Sequence, residues 1–111
     1  TCSEAIERMQ LFFPTGDQES IRRTLSAQLL GVLCQRLLPA TPSGLALATE
    51  FFTNFAATRK YIDEGRLNEL QDLLARGDGK SAALFLRSLV SLTKSGRITE
   101  ETALAASDNP Q

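Results

Sequence analysis

Histidine and tryptophan are both absent from the 111-residue chain, and this absence narrows the chemistry open to it. Without histidine there is no Ser-His-Asp or Cys-His catalytic set, no zinc site with histidine ligands and no histidine pH switch. The two cysteines, Cys2 and Cys34, are too few for a structural zinc site, which needs about four ligands. They could pair in an oxidising compartment, but a chain with an adequate core does not need such a bond. Because Cys34 lies in the apolar run 29–34, we interpret it as a packing residue.

An excess of charge of either sign is also lacking. The 12 basic and 13 acidic residues give a formal net charge of -1, which favours neither a nucleic acid nor an anionic membrane as partner. No apolar stretch approaches the ~18 residues of a membrane span, because Gln35 and Arg36 interrupt the longest candidate. There is no basic-then-apolar secretory leader, and Thr1 is not a natural start residue. We therefore expect a cytoplasmic chain that is cut from something longer.

The residues that are present show a strong helical pattern. Thr1 and Glu4 have the spacing of a capping box at the start of a first helix, which Pro14 and Gly16 end. Asp17 can cap a second helix. An apolar stripe with helical spacing then predicts one long helix reaching past residue 36, and the stripe consists of Ile21, Leu25, Leu29, Val32 and Arg36.

Residues 45–52 are the one predicted strand. The segment is short and mostly apolar, and it follows a turn that contains Pro42 and Gly44. Periodicity alone would also allow a helix here. Because a lone strand cannot satisfy its own backbone hydrogen bonds, its partners would lie outside the chain if nothing else in it is a strand.

From Thr53 onward the pattern predicts four short helices. The first ends at Gly65 and the second at Gly77, since glycine commonly follows a helix C-terminus. The third runs from Ala82 to Lys94 with a wide apolar face, and Thr99 caps the fourth.

Two motifs in this half look functional and are rejected. Residues 79–81, Gly-Lys-Ser, have the ending of a phosphate-binding loop, but Leu74 stands where the motif needs its first glycine. No strand precedes the segment, although a phosphate loop joins a strand to a helix. The helices around residues 95–97 resemble a helix-turn-helix in outline, but the second offers no basic or amide side chain to contact bases. We therefore expect neither phosphate nor DNA binding here.

Five segments share their order and spacing with a known family. Residues 5–14 include Ala-Ile-Glu-Arg and, later, Phe-Pro, and residues 28–39 resemble the family's Leu…Val-Ile-(Ser/Ala/Cys)-Gln-Arg-Leu-(Val/Leu)-Pro helix. Residues 48–50, Ala-Thr-Glu, sit where the family has a strand that ends in glutamate. Residues 57–65 are similar to its Ala-Ile-Arg-Asn-Leu-Ile-Arg-Glu-Gly/Asp motif, and residues 92–104 to its closing Gly-Leu-Ile-(Ser/Thr)-x-Glu-x-Ala-Leu segment. The chain thus resembles the type II/IV secretion-system ATPases, above all the twitching-motility retraction ATPases.

The resemblance implies a mainly α fold that is the carboxy-terminal part of a RecA-like α/β motor domain. Residues 1–52 would end the ATPase core with a long helix and one edge strand, and residues 53–111 would form a small helical subdomain. The phosphate loop, catalytic glutamate and histidine box would lie upstream, so this chain alone would hold no cofactor and be inactive, whereas the parent protein would use ATP and Mg²⁺. The implied partners are neighbouring subunits of a homohexamer and pilus or secretion machinery at the inner membrane.

Six residues become candidate coupling or interface positions through the resemblance. They are Gln35, Arg36, Glu50, Arg59, Ile62 and Glu64. Gln35 and Arg36 would anchor the long helix, while Arg59 and Glu64 would mediate contacts between subdomains or subunits. The motif in residues 57–65 is associated in the family with coupling hydrolysis to mechanical output. Asp63 stands where the family has a second arginine, which leaves room for a divergent paralogue or a neighbouring secretion ATPase.

Two alternatives stay open on the residues themselves. Arg59 and Glu64 could form an exposed helix pair that contributes only ~0.3–0.5 kcal/mol. The whole chain could be a free-standing helical adaptor without catalytic activity, binding a partner through a leucine-rich groove.

Overall fold

A computed structural model describes residues 1–77 and 81–108 of the chain. The mainly helical class predicted from the sequence is confirmed. The described residues also form a three-stranded sheet, where the sequence predicted a single strand. In chain order the elements are α1 (Cys2–Leu11), a 3-10 turn (Thr15–Asp17), α2 (Gln18–Gln28), β1 (Gly31–Pro39), β2 (Leu45–Thr53), α3 (Ala56–Glu64), α4 (Leu67–Ala75), β3 (Ala82–Ala83), α5 (Phe85–Lys94) and α6 (Glu100–Asp108).

The long helix predicted to reach past residue 36 is wrong. Helix α2 stops at Gln28, Leu29 is already extended, and Gly31–Pro39 form strand β1. Exposure alternates along β1, so that Arg36 lies on the inner face and Gln35 on the outer face. The prediction failed because both faces carry apolar residues, and such a run has the same composition as a buried helix.

The predicted strand at residues 45–52 is confirmed as β2, but it is neither alone nor an edge strand. It pairs antiparallel with β1 over nine residue pairs, from Gly31 with Thr53 to Pro39 with Leu45. On its other side it pairs with the two-residue strand β3. The sheet order is therefore β1-β2-β3, and β2 finds hydrogen-bonding partners within this chain.

The helix boundaries predicted for the second half are largely confirmed. Gly65 follows α3 with a left-handed φ of 71°, and the Thr99 hydroxyl accepts a hydrogen bond from the Thr102 amide at the start of α6. The third predicted helix begins later than Ala82, because Ala82 and Ala83 pair with β2 before α5 starts. Of the rejected Gly-Lys-Ser motif, residues 79 and 80 lie outside the described residues.

Two apolar clusters form the core. The first joins α1, β2, α3 and α4, and its buried members are Cys2, Ile6, Phe52, Ile62, Leu70, Leu74 and Ala82. The second joins the far end of the sheet to α5 and α6, and its buried members are Leu38, Ala46, Ala48, Leu89, Ile98 and Ala106. Both clusters draw residues from either side of residue 52, where the domain boundary is predicted.

The outer face of the β1–β2 hairpin carries exposed leucines on both sides of the polar pair Gln35–Thr49. Leu37 and Leu47 are directly paired across the strands and are 62% and 45% exposed. Leu33 and Leu45 extend this face towards the two ends of the hairpin and are also exposed. Several exposed leucines on one sheet face are typical of a surface that packs against another protein element.

Candidate coupling site

Glu50 is buried and connects the sheet to three helices. Its side chain projects from β2 and is 1% exposed. Oε2 accepts a hydrogen bond from the Cys2 amide at 2.6 Å, and Oε1 accepts one from the Phe85 amide at 3.1 Å. These amides belong to the first residues of α1 and α5, whose free N–H groups and dipoles attract a negative charge. One carboxylate thus caps two helices from a strand.

A third helix reaches the same carboxylate through Gln71 of α4. The Gln71 side-chain amide donates to Glu50 Oε2 at 3.3 Å, while its carbonyl oxygen accepts from the Ser3 hydroxyl at 2.8 Å. Ser3 follows Cys2 in α1, so these hydrogen bonds form a closed ring that links α1, Glu50 and Gln71. Because both Glu50 oxygens accept hydrogen bonds from the protein, the arrangement is suited to holding elements together rather than to acid or base catalysis.

Arg36 shares a cleft with Glu50, at the junction of β1, β2, α5 and α6. The cleft has a volume of about 260 Å³, and its lining includes Ala48, Gln71 and Phe85. The Arg36 guanidinium donates to the Ala106 carbonyl oxygen at 3.1 Å. This carbonyl is in the last turn of α6, where a positive charge is favourable. Arg36 therefore anchors the closing helix to the sheet, not the long helix predicted from the sequence.

Gln35 does not share the Arg36 contact, because neighbouring residues of a strand point to opposite faces. It is exposed and paired directly with Thr49 on the outer face of the hairpin. It also borders a second cleft, of about 260 Å³, beside α1. Gln35 is therefore placed for contacts outside this chain.

The three candidates in residues 57–65 lie on α3, away from Glu50, and they divide between surface and core. Ile62 is 0% exposed and belongs to the first apolar cluster. Arg59 and Glu64 are exposed. The structure therefore separates one packing residue from two residues that are available for external contacts.

Glu64 is engaged locally rather than with Arg59. Its carboxylate forms an ion pair with Arg66 at 2.8 Å, and Arg66 also pairs with Glu69 and lies over the Tyr61 ring at 5.0 Å. The hydrogen bond from Arg66 lowers the pKa of the Glu69 carboxyl. These groups surround the turn between α3 and α4, where exposed pairs contribute little stability.

Asn54 fixes the start of α3 against the rest of the molecule. Its side-chain amide donates to the Ser26 and Leu29 carbonyls at 3.0 and 2.9 Å, and its carbonyl oxygen accepts from the Thr58 hydroxyl at 2.6 Å. Thr58 is fully buried and also accepts from the Phe55 amide. The surface that carries Arg59 is thereby held at a defined position relative to α2 and β1.

Sequence reasoning missed the partners that make Glu50 a junction. Cys2 and Phe85 contribute backbone amides, which carry no side-chain signature, and they are 48 and 35 residues away in sequence. Gln71 lies on a helix whose leucine pattern indicated only packing. The glutamate itself was the only available signal, as a charged residue within a mostly apolar strand.

Metal sites and membrane spans were searched in the same part of the chain. Within residues 1–77 and 81–108, no group of three or more His, Cys, Asp or Glu side chains is arranged to hold a metal ion. No helix of these residues has the length and apolar character needed to cross a bilayer.

Comparison with known proteins identifies relatives across nearly the whole chain. No protein-family model matches it. The type IV pilus ATPase PilU of Pseudomonas aeruginosa is 31% identical over 109 residues, which are 96% of this chain and 28% of PilU. A twitching motility protein of Neisseria gonorrhoeae is 27% identical over 110 residues, or 98% of this chain and 29% of that protein. The chain therefore spans less than a third of the length of these relatives.

A solved structure shows the same fold. The crystal structure of the pilus retraction motor PilT with bound ADP matches with a TM-score of 0.81 and 34% identity, covering 97% of this chain and 30% of PilT. The similarity in sequence and the similarity in structure thus agree on one group of proteins. The chain is therefore a relative of the pilus ATPases PilU and PilT, and it matches the carboxy-terminal region of the retraction motor.

Proposed function

We propose that this chain is the carboxy-terminal part of a hexameric ATPase motor that powers type IV pilus retraction, twitching motility or related secretion. Within that motor it supplies packing and coupling surfaces, and ATP with Mg²⁺ binds to the part of the protein that lies upstream. The parent protein acts in the cytoplasm, against pilus or secretion machinery at the inner membrane. The likeness to PilU and PilT supports this assignment.

The observation that carries the coupling role is the set of hydrogen bonds that Glu50 accepts from Cys2, Gln71 and Phe85, called the Glu50 junction below. The Glu50 side chain sits on β2, in the part proposed as the end of the ATPase core, residues 1–52. It binds α4 and α5, in the part proposed as the helical subdomain, residues 53–111. Displacement of the sheet is therefore transmitted to the helices through a buried, hydrogen-bonded carboxylate, whose separation from its donors is costly.

The outer face of the hairpin supports a role within a larger protein. Its exposed leucines, including Leu33, Leu37 and Leu47, would be covered by upstream parts of the ATPase core. Burial of apolar area stabilises by about 25 cal/mol per Å², so this face favours packing against the remainder of the motor domain. Arg59 on α3 is exposed and available to a neighbouring subunit.

The helical adaptor is the second candidate, and one groove favours it. Between α5 and α6, Leu86, Val90 and Leu104 are 62%, 44% and 63% exposed, and they line a groove of about 480 Å³. An apolar groove between helices is a common site for an amphipathic helix of a partner. The adaptor would act without any attached ATPase.

The size and nucleotide affinity of the natural protein separate the two candidates. An antiserum raised against this chain should detect, in the source cells, a protein of the relatives' size rather than one of 12.1 kDa. The purified natural protein should bind ATP, whereas this chain alone should give no heat on titration with ATP and Mg²⁺.

Either of two results would contradict the motor proposal. A natural product of 12.1 kDa that binds no nucleotide would favour the adaptor. Micromolar ATP binding by this chain, lost in Lys80→Ala but kept in the matched variant Lys94→Ala, would show that the rejected Gly-Lys-Ser motif is a phosphate site.

A further inference from the structure

The two cysteines, 32 positions apart in the sequence, meet beside the Glu50 junction. Cys2 is 0% exposed at the start of α1, and its thiol donates to the Glu50 carbonyl oxygen at 3.5 Å. Glu50 is the residue directly paired with Cys34 across β1 and β2. Cys34 packs against the first apolar cluster, to which Cys2 belongs, and the Cys2 sulfur lies 4.0 Å from the carbonyl oxygen of Val32 on the same strand as Cys34. No disulfide bond joins Cys2 and Cys34.

The surroundings of the two thiols differ, and only one of them faces an opening. Cys34 is half-buried and borders the second cleft, of about 260 Å³, together with Arg8 and Gln35. A small reagent can therefore approach Cys34 from this side. Cys2 is fully buried between α1 and the sheet, so solvent does not reach its sulfur atom directly.

We propose that Cys2 and Cys34 form a reversible intramolecular disulfide when the protein meets a low-molecular-weight disulfide such as oxidised glutathione. This oxidation site is independent of the motor function proposed above. It would covalently join the first turn of α1 to β1, next to the hydrogen bond between the Cys2 amide and Glu50.

The reaction proceeds as two thiol–disulfide exchanges. The Cys34 thiol loses its proton and attacks one sulfur of oxidised glutathione, forming a mixed disulfide and releasing one glutathione thiolate. The Cys2 thiol then loses its proton and attacks the Cys34 sulfur, forming the Cys2–Cys34 bond and releasing the second glutathione. In total the protein gives up two electrons and two protons, and oxidised glutathione is reduced to two molecules of glutathione.

Burial explains the order of the two steps. Desolvation, with smaller effects of Cys34 and Glu50, raises the pKa of the Cys2 thiol. A thiol with a raised pKa is a poor first nucleophile at neutral pH. Cys2 therefore reacts second, within the molecule, where the sulfur of the mixed disulfide is held next to it.

The experiment treats the full chain with oxidised glutathione and follows it by mass spectrometry. Trypsin cleaves after Arg8, Arg23 and Arg36, so the expected product is a linked pair of peptides, residues 1–8 and 24–36. Dithiothreitol should separate the pair again. The oxidised chain should melt roughly 5–15 °C higher than the reduced chain, because the bond restricts the unfolded state.

The single-cysteine variant Cys34→Ser is the matched control, since Cys34 is the less buried of the two. Under the same treatment it should give no linked peptides and no rise in Tm. Phenylarsine oxide, which bridges two neighbouring thiols, gives a second test that needs no oxidation: the native chain should bind one equivalent and Cys34→Ser none. A stable glutathione adduct on Cys34, a dimer through Cys34, or unchanged thiols and no arsenical binding would each overturn the proposal.

Discussion

At the scale of single residues, the buried carboxylate of Glu50 is held by three hydrogen bonds from other elements. It accepts from two helix N-termini and from Gln71 while being 1% exposed. A buried acceptor of this kind contributes chiefly through the donors that its removal would leave unpaired. Glu50, which the family resemblance marked as a candidate residue, therefore holds α1, α4 and α5 to the sheet.

Replacement of Glu50 by glutamine tests that task with almost no change of shape. One oxygen becomes an NH₂ group that faces an N–H donor from Cys2 or Phe85, so we expect Glu50→Gln to lower the free energy of unfolding by about 1–3 kcal/mol. Glu7→Gln, at an exposed position of α1, should change it by less than about 0.5 kcal/mol. Urea unfolding followed by circular dichroism measures both, and equal stabilities would contradict the junction.

Cys2 gives a prediction for alkaline pH. Its pKa is raised in the folded state by burial, so between the unfolded and folded values the unfolded chain binds fewer protons than the folded chain. The stabilisation that the protonated Cys2 thiol contributes is therefore fully present below about pH 8.5, the usual pKa of cysteine, and it decreases as the pH rises above that value. In the presence of a reductant, the native chain should lose up to about 1.4 kcal/mol per pH unit more than Cys2→Ala does. Parallel pH dependences for the two proteins would show that Cys2 ionises equally in both states.

At the scale of elements, the sequence predicted helices well and the sheet poorly, for a physical reason. Helices such as α3 and α6 have local signals, namely Gly65 after one and Thr99 before the other. Strand β1 is specified by its nine pairs with β2, which are not visible in a local window. Gly31, after Leu29 and Leu30, was the one local hint that α2 ends early.

Replacement of Gly31 by alanine distinguishes the predicted helix from the observed strand, because the change in stability has opposite signs in the two structures. A Cβ at Gly31 would lie 2.9 Å from the Phe52 carbonyl oxygen, so Gly31→Ala should destabilise by about 1–3 kcal/mol. Inside a helix the same change would stabilise by about 1 kcal/mol. Gly16→Ala, with open space around its Cβ, is the control and should be neutral or slightly stabilising. Thermal or urea unfolding reports the sign, and stabilisation by Gly31→Ala would contradict strand β1.

At the scale of the whole molecule, the sequence lacks complete catalytic motifs, and the structure has packing and contact surfaces in their place. The chain has no histidine, its phosphate-loop motif is incomplete, and it matches under a third of the length of pilus ATPases. Its described residues instead present the buried carboxylate of Glu50, a sheet face with exposed leucines, and an exposed Arg59 on α3. The chain-wide resemblance predicted the family, but not the contacts, because Glu50 and Arg36 act through residues distant in sequence.

If the surface of α3 couples ATP hydrolysis to movement, as proposed above, then Arg59 in the complete motor is needed for movement but not for hydrolysis. Arg59→Ala should keep ATP turnover within about twofold while pilus retraction falls by tenfold or more. Lys60→Ala, the adjacent exposed basic residue on α3, should leave both unchanged. Parallel measurement of ATP hydrolysis and retraction speed decides the matter: hydrolysis without movement in Arg59→Ala is the predicted result, and normal retraction, or equal loss of hydrolysis and retraction, would contradict a coupling role.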